Sequence, residues 1–295
     1  MVKAYKYLTM SLKIQPQKIV VTGDSGGAAI LLETMLQTYA PNVLSSNATS
    51  TADNDTKITE NSGKKLPAAM LLVSPVVCAE INSPAWKEKA KHDMVGPKLF
   101  RKVFKEYFGT TDLSSTDIRL IAMTHMQQGF DHFIPKNTMM IVGSKETMRD
   151  DITEMALRVV RNSNVRGHLV SEDYAHDWYV IRDTVKDKTV INRCDELFGE
   201  FVVNALKEAQ SSANGDEKVS ATTPAATDKQ EQDYLVKFTR NGVTMKFSKS
   251  SMKELLGKMN KADVSKEGVA KTLVSMAQMT ANATGNISQS QTVTV

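Results

Sequence analysis

Short apolar runs recur along the first 180 residues, and segments of helical periodicity fill the intervals between them. The runs are "KIVVTG" (18–23), "AMLLVSPVV" (69–77), "NTMMIVGS" (137–144) and the start of "HLVSEDYAHDWY" (168–179). Each has strand length and is rich in aliphatic side chains, so each predicts a buried strand. Helix formers with apolar spacing occupy 27–40, ended by Pro41, and "GPKLFRKVFKEYFG" (96–109) reads as an amphipathic helix. Two more helices follow at 149–162 and 192–209, the second with a continuous apolar stripe. At the start, residues 3–14 place Ala4, Tyr7, Leu8 and Leu12 on one helical face, and Pro16 marks the exit. Strands alternating with helices of this length predict a parallel sheet in an α/β fold.

Two stretches break the alternation. Residues 42–65 are polar and aperiodic, the composition of a disordered surface insertion, and 210–233 has the composition of a linker. The alternating core is therefore expected to end near residue 209. Beyond the linker, "YLVKFTRNGVTMKFS" carries an Asn241–Gly242 pair suited to a two-residue hairpin turn. That turn sets Phe238 opposite Met245 and Val236 opposite Phe247, giving one apolar face. Helical patterns at Met252, Leu255, Leu256 and Met259, then at Val269, Leu273 and Met276, complete a small appendage over 234–280, with a disordered tail at 281–295. Nothing in the pattern says what the hairpin packs on.

Composition narrows the function classes. The formal charge of +4 over 295 residues, without a Lys/Arg run, argues against a nucleic-acid binder. Cys78 and Cys194 are too few and too far apart for a disulfide framework or a zinc site, and reduced thiols are expected. No apolar run approaches the ~20 residues of a membrane span. The first residues lack the apolar centre and cleavage site of a secretory signal. Sites of the form N-x-S/T at Asn47, Asn54, Asn282 and Asn286 fall in Asn/Ser/Thr-rich stretches where chance matches are common.

The chemistry centres on "TGDSGGAA" (22–29). GDSGG is the string around the nucleophile of trypsin-like proteases, but those enzymes place His and Asp ahead of the Ser. Here 24 residues precede Ser25 and none is a histidine, while Ala28 opens a helix. The same residues also form G-x-S-x-G on a strand–turn–helix, the pattern of a nucleophile elbow. In that turn Gly23 and Gly27 are the small residues that spare neighbouring side chains a clash. The following helix aims its N-terminus at the site, and the N–H of Gly26 is an oxyanion donor.

"YKYL" followed by "KIVVTGDSGGAAILLETML" resembles the nucleophile region of hormone-sensitive-lipase-type α/β hydrolases, a family that includes fungal steryl acetyl hydrolases. The strand ending S-P in "LLVSPVV", the acid strand with its R-D pair in "MMIVGSKETMRDD", and the His followed by a small or acidic residue and an aromatic in "AHDWY" are further matches, covering residues 1 to about 207. Ser25 is followed by Gly where the family usually has Ala. The resemblance implies a three-layer α/β-hydrolase sheet with Ser25 as nucleophile. It also implies a catalytic acid at Glu146, three positions before Arg149, with Glu in place of the usual Asp.

Asp150 and Asp151 are the alternative acids, and by position they also suit the N-terminus of the following helix. His92, His125 and His132 precede the acid or its strand, and His168 opens the last strand. His176 follows in a loop 30 residues after Glu146, so order and spacing favour it as general base.

The family's H-G-G-G motif, the second half of the oxyanion hole, has no counterpart upstream of Ser25. The expectation is therefore an N-terminally truncated hydrolase. The resulting function is a carboxylic ester hydrolase of lipase, esterase or steryl acetyl hydrolase type, acting on a small-molecule or lipid ester. The alternative is an impaired remnant that serves as a non-enzymatic scaffold or binding protein. No cofactor, metal or nucleic-acid partner is called for. The resemblance implies the endoplasmic reticulum, with the cytoplasm as the alternative.

Overall fold

Along Ala69–Val73 every residue is buried, the burial of a strand covered on both faces. In this computed structural model, which describes residues 1–41, 65–109, 126–213, 234–240, 242–248 and 291–294, that strand is β2 of a seven-stranded sheet. The strands are β1 (Val20–Asp24), β2, β3 (Asn137–Gly143), β4 (Arg166–Glu172), β5 (Tyr234–Arg240), β6 (Val243–Ser248) and β7 (Gln291–Thr294), lying side by side in chain order. From β1 to β5 every neighbouring pair is parallel; β6 runs antiparallel to β5, and β7 parallel to β6.

The two-residue period of the strands sorts their side chains into two cores. Met70, Leu72, Met140 and Val142 pack with Leu32 and Met35 of α2 (Ser25–Tyr39) and with Ile152 and Met155 of α5 (Arg149–Arg161). Leu71, Val73, Met139 and Ile141 point the other way, onto Val190, Ile191 and Cys194 of α6 (Lys188–Ala213). Helices thus cover both faces of the parallel strands, giving the three-layer α/β architecture. Two further helices, α3 (Ala85–Glu88) and α4 (Pro97–Phe108), lie between β2 and β3 in the chain, and α4 sends Phe100 and Phe104 into the first core. No described helix is long and apolar enough to cross a membrane. Both cysteines are buried and in no disulfide, and burial first, then the Glu172 carboxylate, pushes Cys194 up to about 12.

Several boundaries depart from the sequence pattern. The N-terminal segment is α1 (Val2–Lys6) followed by a π-helical turn over Tyr7–Ser11, and the face that packs is not Ala4–Tyr7–Leu8–Leu12. Tyr7 and Leu12 are more than half exposed, while Tyr5 is buried. The wider π turn changes the angular step per residue, so the expected stripe does not stay on one side. Tyr5 is held by a 2.7 Å hydroxyl contact to Tyr39 of α2. Because Tyr39 donates to the Lys65 carbonyl, Tyr5 is the donor of that pair.

The tail hairpin has the expected register, with Phe238 opposite Met245 and Val236 opposite Phe247. What it packs on is the sheet itself: β5 lies parallel beside β4, with Leu169 level with Phe238. Gln291–Thr294, within the stretch expected to be a disordered tail, adds β7 to the same sheet. Helix α6 continues to Ala213, four residues into the expected linker. The polar insertion, except Lys65, and the helical patterns at 252–276 lie outside the described residues.

Candidate active site

Parallel strands in register bring their carboxyl ends to one edge of the sheet, where loops from different strands can meet. Asp24 is level with Val73, Val73 with Ile141, and Gly143 with Glu172, so the residues that follow β1 to β4 emerge together. Ser25 follows β1 directly and opens α2. Its φ is +47°, a left-handed value that is rare for a non-glycine residue and costs on the order of 1–3 kcal/mol. The strain follows from a turn that passes from strand to helix within one residue. A Cβ on Gly23 would lie 2.9 Å from the Ala28 Cα, so only glycine fits two positions before the serine. Gly27 is under no such pressure, because a Cβ there would meet only the Asp24 Oδ1 at 3.8 Å. Gly26 is exposed in the first turn of α2, and a Cβ there would meet nothing within 4 Å. Its N–H belongs to the group at a helix start that has no intrahelical acceptor.

His176 comes from the loop after β4 and is buried. Its Nε2 lies 2.8 Å from the Ser25 Oγ, and its Nδ1 faces the Glu146 Oε2 at 3.5 Å. Glu146 and His176, 121 and 151 residues after Ser25 in the chain, therefore meet it at one point in the order hydroxyl, imidazole, carboxylate. Glu146 is fully buried just beyond β3. Its Oε1 accepts the Ser74 hydroxyl and the Gly143 N–H, each at 2.5 Å. Burial pushes the Glu146 carboxyl up, while His176, Ser74 and the Gly143 N–H pull it back toward the ionised form.

The alternative acids are engaged elsewhere. Asp150 accepts the Ala85 N–H at 2.9 Å and pairs with Arg149, and Asp151 accepts the Ser83 hydroxyl and the Trp86 indole N–H at 3.0 and 2.9 Å. Rather than capping α5, they fasten the start of α3 onto it. His92 sits in a turn, His132 ends a short 3-10 helix (Phe130–His132), His168 of β4 is hydrogen-bonded to Thr239 of β5, and His125 is outside the described residues.

Four residues that the sequence pattern did not single out hold this arrangement. Ser74, at φ +43° and fully buried, donates to Glu146 and accepts the Asp177 N–H at 3.0 Å, linking the acid loop to the His loop. Asp93 joins the same loops from outside: its Oδ1 accepts the His176 N–H at 3.1 Å, and its Oδ2 accepts the Thr147 N–H at 2.7 Å. Asp177 places its Oδ2 3.2 Å from the His176 Nε2. Gly143 lets the His loop cross the end of β3, since a Cβ there would lie 2.2 Å from the Tyr174 carbonyl oxygen and 2.8 Å from that of Ala175. Only the Ser of the S-P string and the Asp after His176 carried any local signal. The partners of the other two are set by contacts across the fold.

Gly143→Ala is therefore expected to displace the His loop. Overpacking of this kind costs about 1–3 kcal/mol, and a 1 Å misplacement of a reacting group costs on the order of 100-fold in rate. Thermal melting and kcat measured on the same preparation check both.

A family model described as the alpha/beta hydrolase fold matches residues 1–180. The chain belongs to the alpha/beta hydrolase fold family. A solved esterase has a similar backbone arrangement. The esterase EstE5 soaked with ethyl alcohol superposes with a TM-score of 0.50 at 19% identity, over 68% of this chain and 59% of that one. An esterase/lipase from an uncultured bacterium gives 0.49 at 19% identity, over 68% of this chain and 59% of that one. An esterase from the bacterial hormone-sensitive lipase family gives 0.49 at 20%, over 70% and 59%. The chain thus spans 59% of the length of those chains. No curated protein matches the sequence. Among the described residues, no group of three or more His, Cys, Asp or Glu side chains is placed to hold a metal ion.

Proposed function

We propose that the chain is a serine carboxylic ester hydrolase that works through an acyl-enzyme. The observation that carries this reading is Ser25, held at φ +47° on a strand-to-helix turn with its Oγ 2.8 Å from an imidazole nitrogen. An idle glycine-rich turn has no need of a strained serine aimed at a buried histidine. In the proposed reaction the His176 Nε2 takes the Ser25 proton as the Oγ attacks the ester carbonyl. Glu146 orients the ring through Nδ1 and stabilises the imidazolium. The N–H of Gly26 and the start of α2 receive the developing oxyanion. His176 then protonates the departing alcohol, and water releases the acyl group by the same steps in reverse.

The substrate class is an ester of a small molecule or a lipid. The resemblance of residues 1 to about 207 to the hormone-sensitive-lipase-type family, which includes steryl acetyl hydrolases, adds acetylated sterols as a candidate within it. The second reading, a non-enzymatic scaffold built on the same fold, differs from the first in predicting no turnover.

Hydrolysis of p-nitrophenyl acetate and butyrate, followed from the first turnover, separates the two readings. The enzyme reading predicts steady release of p-nitrophenol preceded by a burst of one equivalent if deacylation is the slower step. Folded protein that releases none above the uncatalysed rate would overturn it in favour of the scaffold.

A further inference from the structure

We propose that Asp177 is a second carboxylate acting on the same imidazole, competing with Ser25 for the His176 Nε2 and so governing when His176 is available as a base. This rests on the reading of Ser25 and His176 given above. The Nε2 atom faces two oxygens, the Ser25 Oγ at 2.8 Å and the Asp177 Oδ2 at 3.2 Å. It can carry one proton. When Nε2 is bare and accepts from Ser25, its lone pair also faces the Asp177 carboxylate, which is repulsive. When Nε2 is protonated, that repulsion becomes an ion pair. The carboxylate on Nε2 is also nearer than the one on Nδ1, where Glu146 stands at 3.5 Å. The closer carboxylate is therefore on the nitrogen that has to accept the serine proton.

The placement of Asp177 is built into the fold. Its φ is +56°, its N–H donates to the Ser74 Oγ at 3.0 Å, and its carbonyl accepts from Val180 and Ile181 at 3.0 and 2.8 Å. The residue is 9% exposed, and its Oδ1 has no hydrogen-bond partner. A buried carboxylate whose one close partner is an imidazole is stabilised by keeping that imidazole charged. The other groups facing His176 are the Glu146 carboxylate from beyond β3, the Asp93 carboxylate on its backbone N–H from the segment before α4, and the Ser25 hydroxyl. Burial works against the charged ring, but Asp177 and Glu146 outweigh it and bring His176 up to about 10. In the resting state Nε2–H then donates to Asp177 and Ser25. Acyl transfer begins only after that proton is lost to solvent, which leaves Nε2 free to accept the Ser25 proton as the Oγ–carbon bond forms.

The test is a pH titration of ring-labelled histidine by NMR in the whole chain, with the His176 signal assigned by its loss in His176→Gln. It is run on the native protein, Asp177→Asn and Asp177→Gly, since both replacements tolerate a left-handed backbone. The native ring is expected to stay charged through neutral pH and titrate in the alkaline range. Both variants should titrate lower by about one unit or more, the effect of removing one opposite charge at this distance. In ester turnover the rising limb of kcat/KM should move down by the same amount, about tenfold more activity at pH 7 for each unit. Identical titrations in native and variant proteins, or a native ring that titrates at an ordinary histidine value, would overturn the proposal. The titration needs no turnover. A ring that shifts as expected in a protein that hydrolyses no ester supports the role of Asp177 and rejects the ester reading alone.

Discussion

Replacing Ser25 by alanine is expected to bring ester hydrolysis down to the uncatalysed background, a loss on the order of 10⁶-fold in kcat where the native rate allows it to be measured. The reason is that the proposed reaction passes through a bond to Oγ, and no neighbouring group can take its place. Among the described residues the hydroxyl nearest in role is Ser74, and it is fully buried with its proton committed to Glu146. The substitution should not harm the fold. Ser25 pays conformational strain at φ +47° without any backbone bond that depends on its hydroxyl, and its carbonyl still accepts the Val76 N–H at 3.1 Å. Alanine carries the same strain, so the melting temperature is expected to stay close to that of the native protein. Activity that survives in Ser25→Ala would mean that the ester is hydrolysed elsewhere.

Glu146→Gln carries the next largest expectation. The Glu146 Oε1 accepts two hydrogen bonds of 2.5 Å, from Ser74 and from the Gly143 N–H, and an amide oxygen in that position accepts both. The amide nitrogen then falls where Oε2 faces the His176 Nδ1. An N–H there requires Nδ1 to be the acceptor, so the proton moves to Nε2, the tautomer that cannot take a proton from Ser25. A loss of about 10⁴-fold in kcat, with a folded protein and little change in KM, is the expected result. Steady-state kinetics beside a thermal melt would check it. A loss smaller than tenfold would place the orienting carboxylate elsewhere, with Asp177 the nearest other carboxylate to the ring.

What could be read from the sequence, and what could not, divides along a physical line. Strands such as 69–73 and 137–143 are covered on both faces, so their apolar runs are nearly unbroken and stand out without any context. The turn at Ser25 is likewise local, because strand, glycine, serine and helix are adjacent in the chain. Glu146 could be placed by the family resemblance at its R-D pair, and His176 by its order and spacing in the chain. The partners that hold them could not. Asp93 reaches Thr147 and His176 across 54 and 83 residues, and Ser74 reaches Glu146 across 72, distances over which no periodicity carries information. Gly143 looks like the end of a strand until the Tyr174 carbonyl is seen to pass 2.2 Å from where its Cβ would be. The N-terminal helix misled for a local reason, since a π turn at Tyr7–Ser11 breaks the helical period on which the predicted face was drawn. The hairpin register was readable from its turn and its alternation, but its docking beside β4 depends on an open sheet edge that only the assembled fold presents.

The central claim is that Ser25 is a nucleophile activated by His176. Its most direct measurement is covalent labelling by a fluorophosphonate, which reacts with an activated serine whatever ester the protein prefers. Intact mass and peptide mapping would be read on the native chain, Ser25→Ala and His176→Ala. The account predicts a single adduct on Ser25, absent from Ser25→Ala and slowed by orders of magnitude in His176→Ala. Folded native protein that takes no label, or takes it on another residue, would contradict the account.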